Sequence, residues 1–139
     1  MLSKKAHYAL QALSYLCDCH GRGPTSVAQI AEQKGISVKF LEQILLELKN
    51  DGLLQSKKGK GGGYVFNVNP EEIPLLRVIR LMNGPVALLP CASLNYFSAC
   101  ECCNPDTCSI NQVFVELRDQ QVHFLSQRTV SDLQSTASA

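Results

Sequence analysis

The chain has 139 residues, a length that supports one compact domain or a small domain with an appended arm. Apolar residues make up 45% of it, which is enough for a core and argues against wholesale disorder. The net charge of +1 indicates no partner, but residues 1–60 carry nine basic and five acidic groups, whereas residues 61–139 carry four and seven. The N-terminal half is therefore the side that would face an anion.

The pattern of apolar residues predicts a cytoplasmic protein without a membrane partner. There is no run of 18 or more apolar residues, and the start of the chain lacks the apolar core of a signal peptide. This location matters because five of the seven cysteines lie between positions 91 and 108. Cytosolic thiols stay reduced, so a dense group of them more often binds metal than forms disulfides.

Regularly spaced apolar residues predict three helices in the first fifty residues. The first covers residues 3–19, and the second starts at Ser26, where Gln29 completes a capping-box pattern three positions later. The third follows Ser37, a good N-cap, and runs to about Asn50 with polar residues on its outer face. The second and third helices, joined by a short turn, are typical of a helix-turn-helix.

A hairpin and two more helices are expected in the rest of the chain. Strands at residues 53–56 and 64–68 flank a loop rich in lysine and glycine, and a hairpin directly after a helix-turn-helix is a wing. A fourth helix should begin near Pro74, and a long last helix should cover residues 109–127. The long helix carries an apolar stripe that we expect a second copy of the chain to cover. The polar segment after Leu133 is expected to be frayed.

The wing loop and the third helix carry residue types that suit DNA. Lysines in the loop can neutralise phosphates while its glycines let the backbone approach them, although a solvated loop would have the same composition. Polar residues near the start of the third helix can read base edges in the major groove, or they form a solvated face. The candidate DNA-binding residues are Ser37, Lys39, Phe40, Glu42, Gln43, Lys57, Lys58, Lys60, Gly61 and Gly62.

The cysteine group indicates a metal site. Cys91, Cys100, Cys103 and Cys108 form the pattern C-x8-C-x2-C-x4-C, and a C-x2-C pair is a common chelating turn because both sulfurs can converge on one metal. Cys102 is an additional thiol in the same segment. Burial as small apolar groups is the alternative, but five cysteines within 18 residues among polar neighbours argue against it. Four thiolates would suit zinc as well as an iron–sulfur cluster.

Other features of the sequence point away from an enzyme. It shows no Ser/His/Asp grouping with a supporting fold, no dinucleotide fingerprint and no phosphate-binding loop. A thiol oxidoreductase that uses Cys100 and Cys103 is an alternative, but no βαβ pattern surrounds that pair. Cys17 and Cys19 lie two positions apart on one helix and so point to different faces; we interpret Cys17 as a core residue and Cys19 as incidental.

Several segments together resemble the bacterial winged-helix regulators typified by IscR and NsrR. The LEQI sequence of the third helix and the GGGY sequence of the wing are quite specific to that family, and the likeness covers nearly the whole chain. The segments that carry it are residues 2–13, 30–37, 40–45 and 58–64, Gly84-Pro85, Cys91 and residues 129–133.

The resemblance implies a homodimeric transcription regulator, whose relatives with three cysteines before the long helix carry an iron–sulfur cluster. The chain departs from the family pattern in having Lys60 in place of the usual wing proline and Asn111 in place of a histidine ligand. His7 aligns with the position from which NsrR-type members supply a carboxylate ligand across the dimer. The family's usual spacing between its last two cysteines matches Cys102 and Cys108, although Cys100 and Cys103 form the chelating pair. His7 and Cys102 are therefore alternative ligands to the four-cysteine set.

We accordingly expect a mainly α fold with a small β-hairpin wing, built as a winged helix-turn-helix plus a long C-terminal dimerisation helix. The predicted function is that of a repressor that binds a pseudo-palindromic operator in double-stranded DNA as a homodimer, under the control of a cysteine-ligated iron–sulfur cluster. A zinc or thiol–disulfide site on the same fold is one alternative, and a winged helix that binds another protein is a second. The expected divisions are a DNA-binding domain at 1–84, a cysteine-rich sensor loop at 85–108, a dimerisation helix at 109–128 and a C-terminal tail at 129–139.

Overall fold

The computed structural model describes residues 1–101, 104 and 106–136. The chain begins with three helices, α1 (Lys4–Asp18), α2 (Val27–Lys34) and α3 (Val38–Asn50). Each of them starts at a serine whose hydroxyl oxygen accepts a hydrogen bond from the backbone N–H three residues later. α2 ends at Gly35 in the left-handed conformation, with φ of 65°, so that the chain turns directly into α3. This is the predicted helix-turn-helix.

The capping box predicted at the start of α2 forms only in part. Ser26 Oγ accepts from the Gln29 backbone N–H at 3.1 Å, as expected. The Gln29 side chain, however, donates from Nε2 to the Tyr15 hydroxyl at 2.8 Å. The predicted return bond from Gln29 to Ser26 is therefore wrong, because a partner on α1 takes the side-chain amide.

The wing is a two-stranded antiparallel hairpin of β1 (Leu54–Lys57) and β2 (Gly63–Phe66). The prediction placed the end of the second strand two residues too late. Asn67 instead closes the base of the hairpin, where its N–H donates to the Leu53 carbonyl at 2.9 Å and its Nδ2 donates to the Gly52 carbonyl at 3.0 Å. The Asn67 side chain thus bonds the turn after α3, and the strand ends before its apolar pattern ends at Val68.

Two further helices follow, α4 (Leu75–Asn83) and α5 (Ser109–Gln127), and the bounds of α5 agree with the prediction. Short 3-10 turns lie at Pro70–Glu72, Pro90–Ala92 and Val130–Leu133. Within the described ranges, no helix is both long enough and apolar enough to cross a membrane.

The core lies among the first four helices and the wing, and the segment after α5 closes it. Its largest fully buried side chains are Leu13, Ile30, Leu41, Ile44, Leu45, Leu48, Leu53, Leu54, Ile73, Val78 and Val130. α5 contributes none of them, because its one buried residue is Asn111. Three apolar side chains of α5 are more than half exposed: Ile110, Val113 and Phe124.

The segment after α5 is fastened to α1. The Ser14 hydroxyl donates to the Leu133 carbonyl at 2.6 Å, and the Ser135 N–H donates to Asp18 Oδ1 at 2.8 Å. The expectation that the chain frays after Leu133 is therefore wrong for the segment that ends at Ser135. The fold is, as predicted, mainly helical with a small hairpin wing.

Candidate functional site

α3 presents a polar face to solvent beside the wing. Lys39, Glu42 and Gln43 are exposed, while Leu41 and Ile44 on the opposite face are fully buried. This division follows from helical spacing, because residues three and four positions apart share a face. The three polar side chains are thus available to one external partner.

The first turn of α3 is fixed by local contacts. Ser37 is exposed, and its Oγ accepts from the Phe40 N–H at 3.3 Å. The half-buried Phe40 ring packs edge-on against Tyr8, with 5.7 Å between ring centroids. Both contacts hold the start of α3 against the head of the molecule.

The tip of the wing combines exposed charge with an obligatory close turn. Lys57, Lys58 and Lys60 are all exposed. The Gly62 N–H donates to the Gly59 carbonyl at 3.0 Å, and a Cβ atom on Gly62 would overlap the Lys57 carbonyl oxygen. Only glycine fits there, so the tight turn at the tip of the wing depends on Gly62.

The wing and α3 form one continuous surface. The backbones of Thr25 and Tyr64 exchange two hydrogen bonds, which dock β2 against the segment before α2. Burial raises the pKa of Tyr64, and the negative charge of Glu42 raises it further, so β2 and the outer face of α3 are electrostatic neighbours. A duplex that contacts Glu42 would therefore also lie near the wing.

Three of the predicted ligands line a cavity at a second location. Cys91, Cys100 and Cys108 line one cavity of about 360 Å³. The other residues of its wall are Leu89, Pro90, Ser98, Ala99, Ile110 and Asn111. The cavity is thus a largely apolar pocket lined by thiols, a donor set that suits zinc or an iron–sulfur cluster.

α5 holds the cysteine segment through two side chains. Asn111, which is 8% exposed, donates from Nδ2 to the Cys91 carbonyl at 3.2 Å and from its backbone N–H to Cys108 Sγ at 3.4 Å. About two turns further along the helix, Arg118 donates from Nη1 to the Ala92 carbonyl at 2.9 Å. Residues 91 and 92 are therefore bonded to the long helix.

Of the other candidate ligands, the structure describes only His7. Cys102 and Cys103 lie outside the described residues, and His7 is exposed on α1, where it stacks on Tyr8. Among the side chains that the structure does describe, no three Cys, His, Asp or Glu residues are close enough to form a ready metal site. Three thiols line the pocket, and the C-x2-C pair is completed only by Cys103.

Cys17 of α1 and Cys19, the C-cap of that helix, do not line this cavity. Cys17 is buried in the core, as predicted, where its Sγ donates to the Val130 carbonyl at 3.3 Å. Burial, with a smaller contribution from the charge of Asp18, raises the pKa of Cys17 to about 12. Cys19 is half-buried beside the wing.

Comparison with known proteins agrees with this architecture. The Rrf2 family model, described as an iron-dependent transcriptional regulator, matches residues 2–136. The chain belongs to the Rrf2 family. The Rrf2 family relatives include CymR of Bacillus subtilis, which is 31% identical over 96% of this chain and 89% of its own length. IscR of Pectobacterium atrosepticum is 31% identical over 95% of this chain and 77% of its own length.

Solved Rrf2 structures have the same fold. The structure of CymR, the global cysteine regulator of B. subtilis, superimposes with a TM-score of 0.80 at 31% identity, and the match covers 96% of this chain and 95% of CymR. IscR from T. potens gives a TM-score of 0.76 at 28% identity and covers 96% of this chain and 85% of its own. These relatives are named as transcriptional regulators, so this Rrf2 member is a DNA-binding helix-turn-helix regulator and not an enzyme.

Three contacts of the Rrf2 chain escaped prediction from the sequence. The Asn111–Cys91 and Arg118–Ala92 bonds join positions 20 and 26 residues apart, and the Thr25–Tyr64 pairing joins more distant segments. The bond from the Asn111 N–H to Cys108 Sγ is different, because the sequence carries a local signal for it. Cys108 precedes α5, and a side chain at an N-cap commonly accepts from the N–H three residues later.

Proposed function

We propose that this protein is a homodimeric repressor of transcription in the cytoplasm whose affinity for operator DNA is set by a cysteine-ligated iron–sulfur cluster. The observation that carries the proposal is the cavity in which Cys91, Cys100 and Cys108 come together while α5 is bonded to the same segment. The sensor and the helix expected to form the dimer are thus one connected unit.

The DNA contacts divide into two kinds. The exposed Lys57, Lys58 and Lys60 would neutralise phosphates with little regard to sequence. Glu42 and Gln43, on the outer face of α3, would discriminate between bases, since Glu accepts from the cytosine amino group and Gln pairs with adenine. Ser37, Lys39, Phe40, Gly61 and Gly62 complete the proposed contact surface. In a two-fold dimer, these surfaces would face half-sites about 34 Å apart.

Exposed apolar surface supports the dimer. A groove of about 820 Å³ runs between the N-terminus, α4 and α5, and its apolar lining includes Leu2, Ile79, Leu117 and Phe124. Phe124 is 55% exposed. At the other end of α5, the apolar residues Ile110 and Val113 are each 61% exposed. Apolar surface of this extent along a single helix favours burial against a second copy.

The cysteines of residues 91–108 are the proposed ligands. Cys91, Cys100, Cys103 and Cys108 would hold the cluster, with Cys102 and His7 as the alternative ligands. A bound cluster would cross-link these sulfurs through bonds that are sensitive to oxidation. Asn111 and Arg118 connect the same segment to α5, and α5 packs on α4 next to the DNA-binding head. A change at the cysteines would therefore alter the spacing of the two DNA-binding surfaces.

Anaerobic purification tests this proposal. We expect visible absorbance with stoichiometric iron and sulfide in the wild type and in Cys19→Ser, whose thiol lies outside the cavity, and loss of both in Cys91→Ser. Selection from random duplexes should then yield a two-fold symmetric site whose affinity differs between loaded and stripped protein. Iron-free wild-type protein prepared without air, or equal DNA affinity in both states, would contradict cluster control.

Zinc or thiol chemistry at the same cavity is the second candidate. The likeness to CymR, the global cysteine regulator of B. subtilis, favours it because that relative shares the fold at 31% identity. Colourless protein with one zinc ion per chain, or DNA binding that responds to oxidation and dithiothreitol without any metal, would support this candidate over the cluster.

A further inference from the structure

We infer that Asn111 is a positioning residue for the cysteine site: it joins Cys91 and Cys108 into one ligand set and thereby sets the affinity of the site for metal. The inference rests on the proposed function, because it needs the cavity to bind metal through its thiols. It goes further by assigning a role to a residue that is not itself a ligand.

The geometry places one residue against two cysteines. The Asn111 backbone N–H donates to Cys108 Sγ at 3.4 Å, and its side-chain Nδ2 donates to the Cys91 carbonyl at 3.2 Å. Cys108 lies three positions away and Cys91 lies 20 positions away. The first bond comes from helix geometry alone, whereas the second exists only because the residue at position 111 has a side-chain donor.

Burial makes the side-chain bond consequential. Asn111 is 8% exposed and is the one buried residue of α5. A buried amide that loses its partner costs more than an exposed one, so the Cys91 carbonyl and Asn111 Nδ2 hold each other in place.

Groups just outside a metal's ligands orient those ligands and commonly change metal affinity by about 10–100-fold when they are removed. Asn111 meets that description, because its amide fixes the backbone of Cys91 relative to α5. Without the Asn111 side-chain bond, metal binding itself would have to order Cys91. The entropy cost of that ordering would weaken metal binding.

The test uses Zn²⁺ as the probe, titrated without oxygen against a chromophoric chelator. We expect Asn111→Ala to bind Zn²⁺ about 10–100-fold more weakly than the wild type. Asn111→Leu fills the buried space without a donor, and we expect it to weaken binding equally, so that loss of packing is separated from loss of the bond. Gln112→Ala, on the exposed neighbouring position of the same helix, is the matched control and should bind like the wild type.

Melting temperatures with and without Zn²⁺ provide the second readout. A positioning role predicts that the gain in melting temperature on adding Zn²⁺ shrinks in both Asn111 variants. A purely structural role predicts equal destabilisation of both forms and unchanged Zn²⁺ affinity, and that result would overturn the inference. If the wild type itself binds neither Zn²⁺ nor reconstituted iron and sulfide, the proposed function fails and the inference fails with it.

Discussion

The backbones of Thr25 and Tyr64 pair along the outer edge of β2: the Tyr64 N–H donates to the Thr25 carbonyl at 2.8 Å, and the Thr25 N–H donates to the Tyr64 carbonyl at 3.0 Å. This pairing adds the segment before α2 to the edge of β2. Because α2 and α3 follow directly, the wing has a fixed position relative to the polar face of α3. Gly63, next to Tyr64, makes this close approach sterically feasible.

Substitution of Gly63 should therefore displace the wing. A Cβ atom at Gly63 would overlap the Thr25 carbonyl oxygen and the backbone around it, and the residue has φ of +150°. We expect Gly63→Ala to lose more than about 1 kcal/mol of unfolding free energy, because the native backbone cannot accommodate the new side chain. Urea denaturation measures this loss, and DNA affinity should fall with it.

Gly59→Ala is the matched control. Gly59 also has positive φ, at +96°, but a Cβ atom there meets nothing within 4 Å. The difference in unfolding free energy between the two variants separates the effect of the overlap with Thr25 from the strain that positive φ causes in both. If both variants lost the same stability, the Thr25–Tyr64 pairing would not be what fixes the wing.

The wing lysines should dominate the salt dependence of DNA binding. We expect Lys58→Ala to weaken binding to all sequences alike and to reduce the slope of log affinity against log salt by about 1, the change for one lost phosphate contact. Lys49→Ala removes the same charge from the exposed last turn of α3, at the opposite end from the proposed base contacts, and should leave the slope unchanged. Fluorescence anisotropy over a salt series measures the slope for each variant. Equal slopes for the two variants would show that Lys58 of the wing does not contact the DNA.

The extent of prediction from sequence follows from the range of the interactions. Local signals located the helices well, because N-cap serines such as Ser37 and the stop at Gly35 act within a few residues. The errors arose where a distant partner overrode a local pattern. Gln29 bonds Tyr15 instead of completing its capping box, and the Asn67 side chain bonds the Gly52 carbonyl where the apolar pattern had extended β2 to Val68.

The candidate sites show the same division. Residue types and spacing indicated which cysteines to consider, and the structure places Cys91, Cys100 and Cys108 around one cavity. Sequence spacing gave no means of predicting that Asn111 and Arg118 bond this segment to α5, since these bonds depend on how the chain returns past α4. The connection between cavity and helix is a tertiary property, and the proposed coupling depends on it.

A charge on the apolar stripe of α5 should break the dimer. Phe124 is 55% exposed and lines the groove between the N-terminus, α4 and α5, so Phe124→Glu would place a carboxylate in the proposed interface. Removing a carboxylate from water is costly even with the Arg128 guanidinium nearby, 5.1 Å from the Phe124 ring centroid, and we expect a monomer in sedimentation experiments at micromolar concentration. Gln112→Glu adds the same charge at an exposed position off the stripe and should remain dimeric. A Phe124→Glu variant that sediments as a dimer would place the interface elsewhere.

The buried thiol of Cys17 should make the fold sensitive to alkali. Burial, and secondarily the charge of Asp18, raises the pKa of Cys17 from 9.0 to about 12 in the folded chain. Between these values the folded state keeps a proton that the unfolded state has released, so stability is complete below about pH 9 and falls as the pH rises. The fall from this group approaches about 1.4 kcal/mol for each pH unit.

Two substitutions separate titration from packing. Cys17→Ser retains a donor for the Val130 carbonyl, Cys17→Ala does not, and neither side chain ionises in this range. Urea denaturation between about pH 8 and 10 avoids most of the contribution of Tyr64, whose pKa is raised from 10.0. The free energy of unfolding should fall less steeply with pH in both variants than in the wild type. Cys17→Ala should be less stable than Cys17→Ser by about 1 kcal/mol at every pH, because it lacks the hydrogen bond to Val130. Parallel declines in all three proteins would show that the alkaline loss of stability arises from a group other than Cys17.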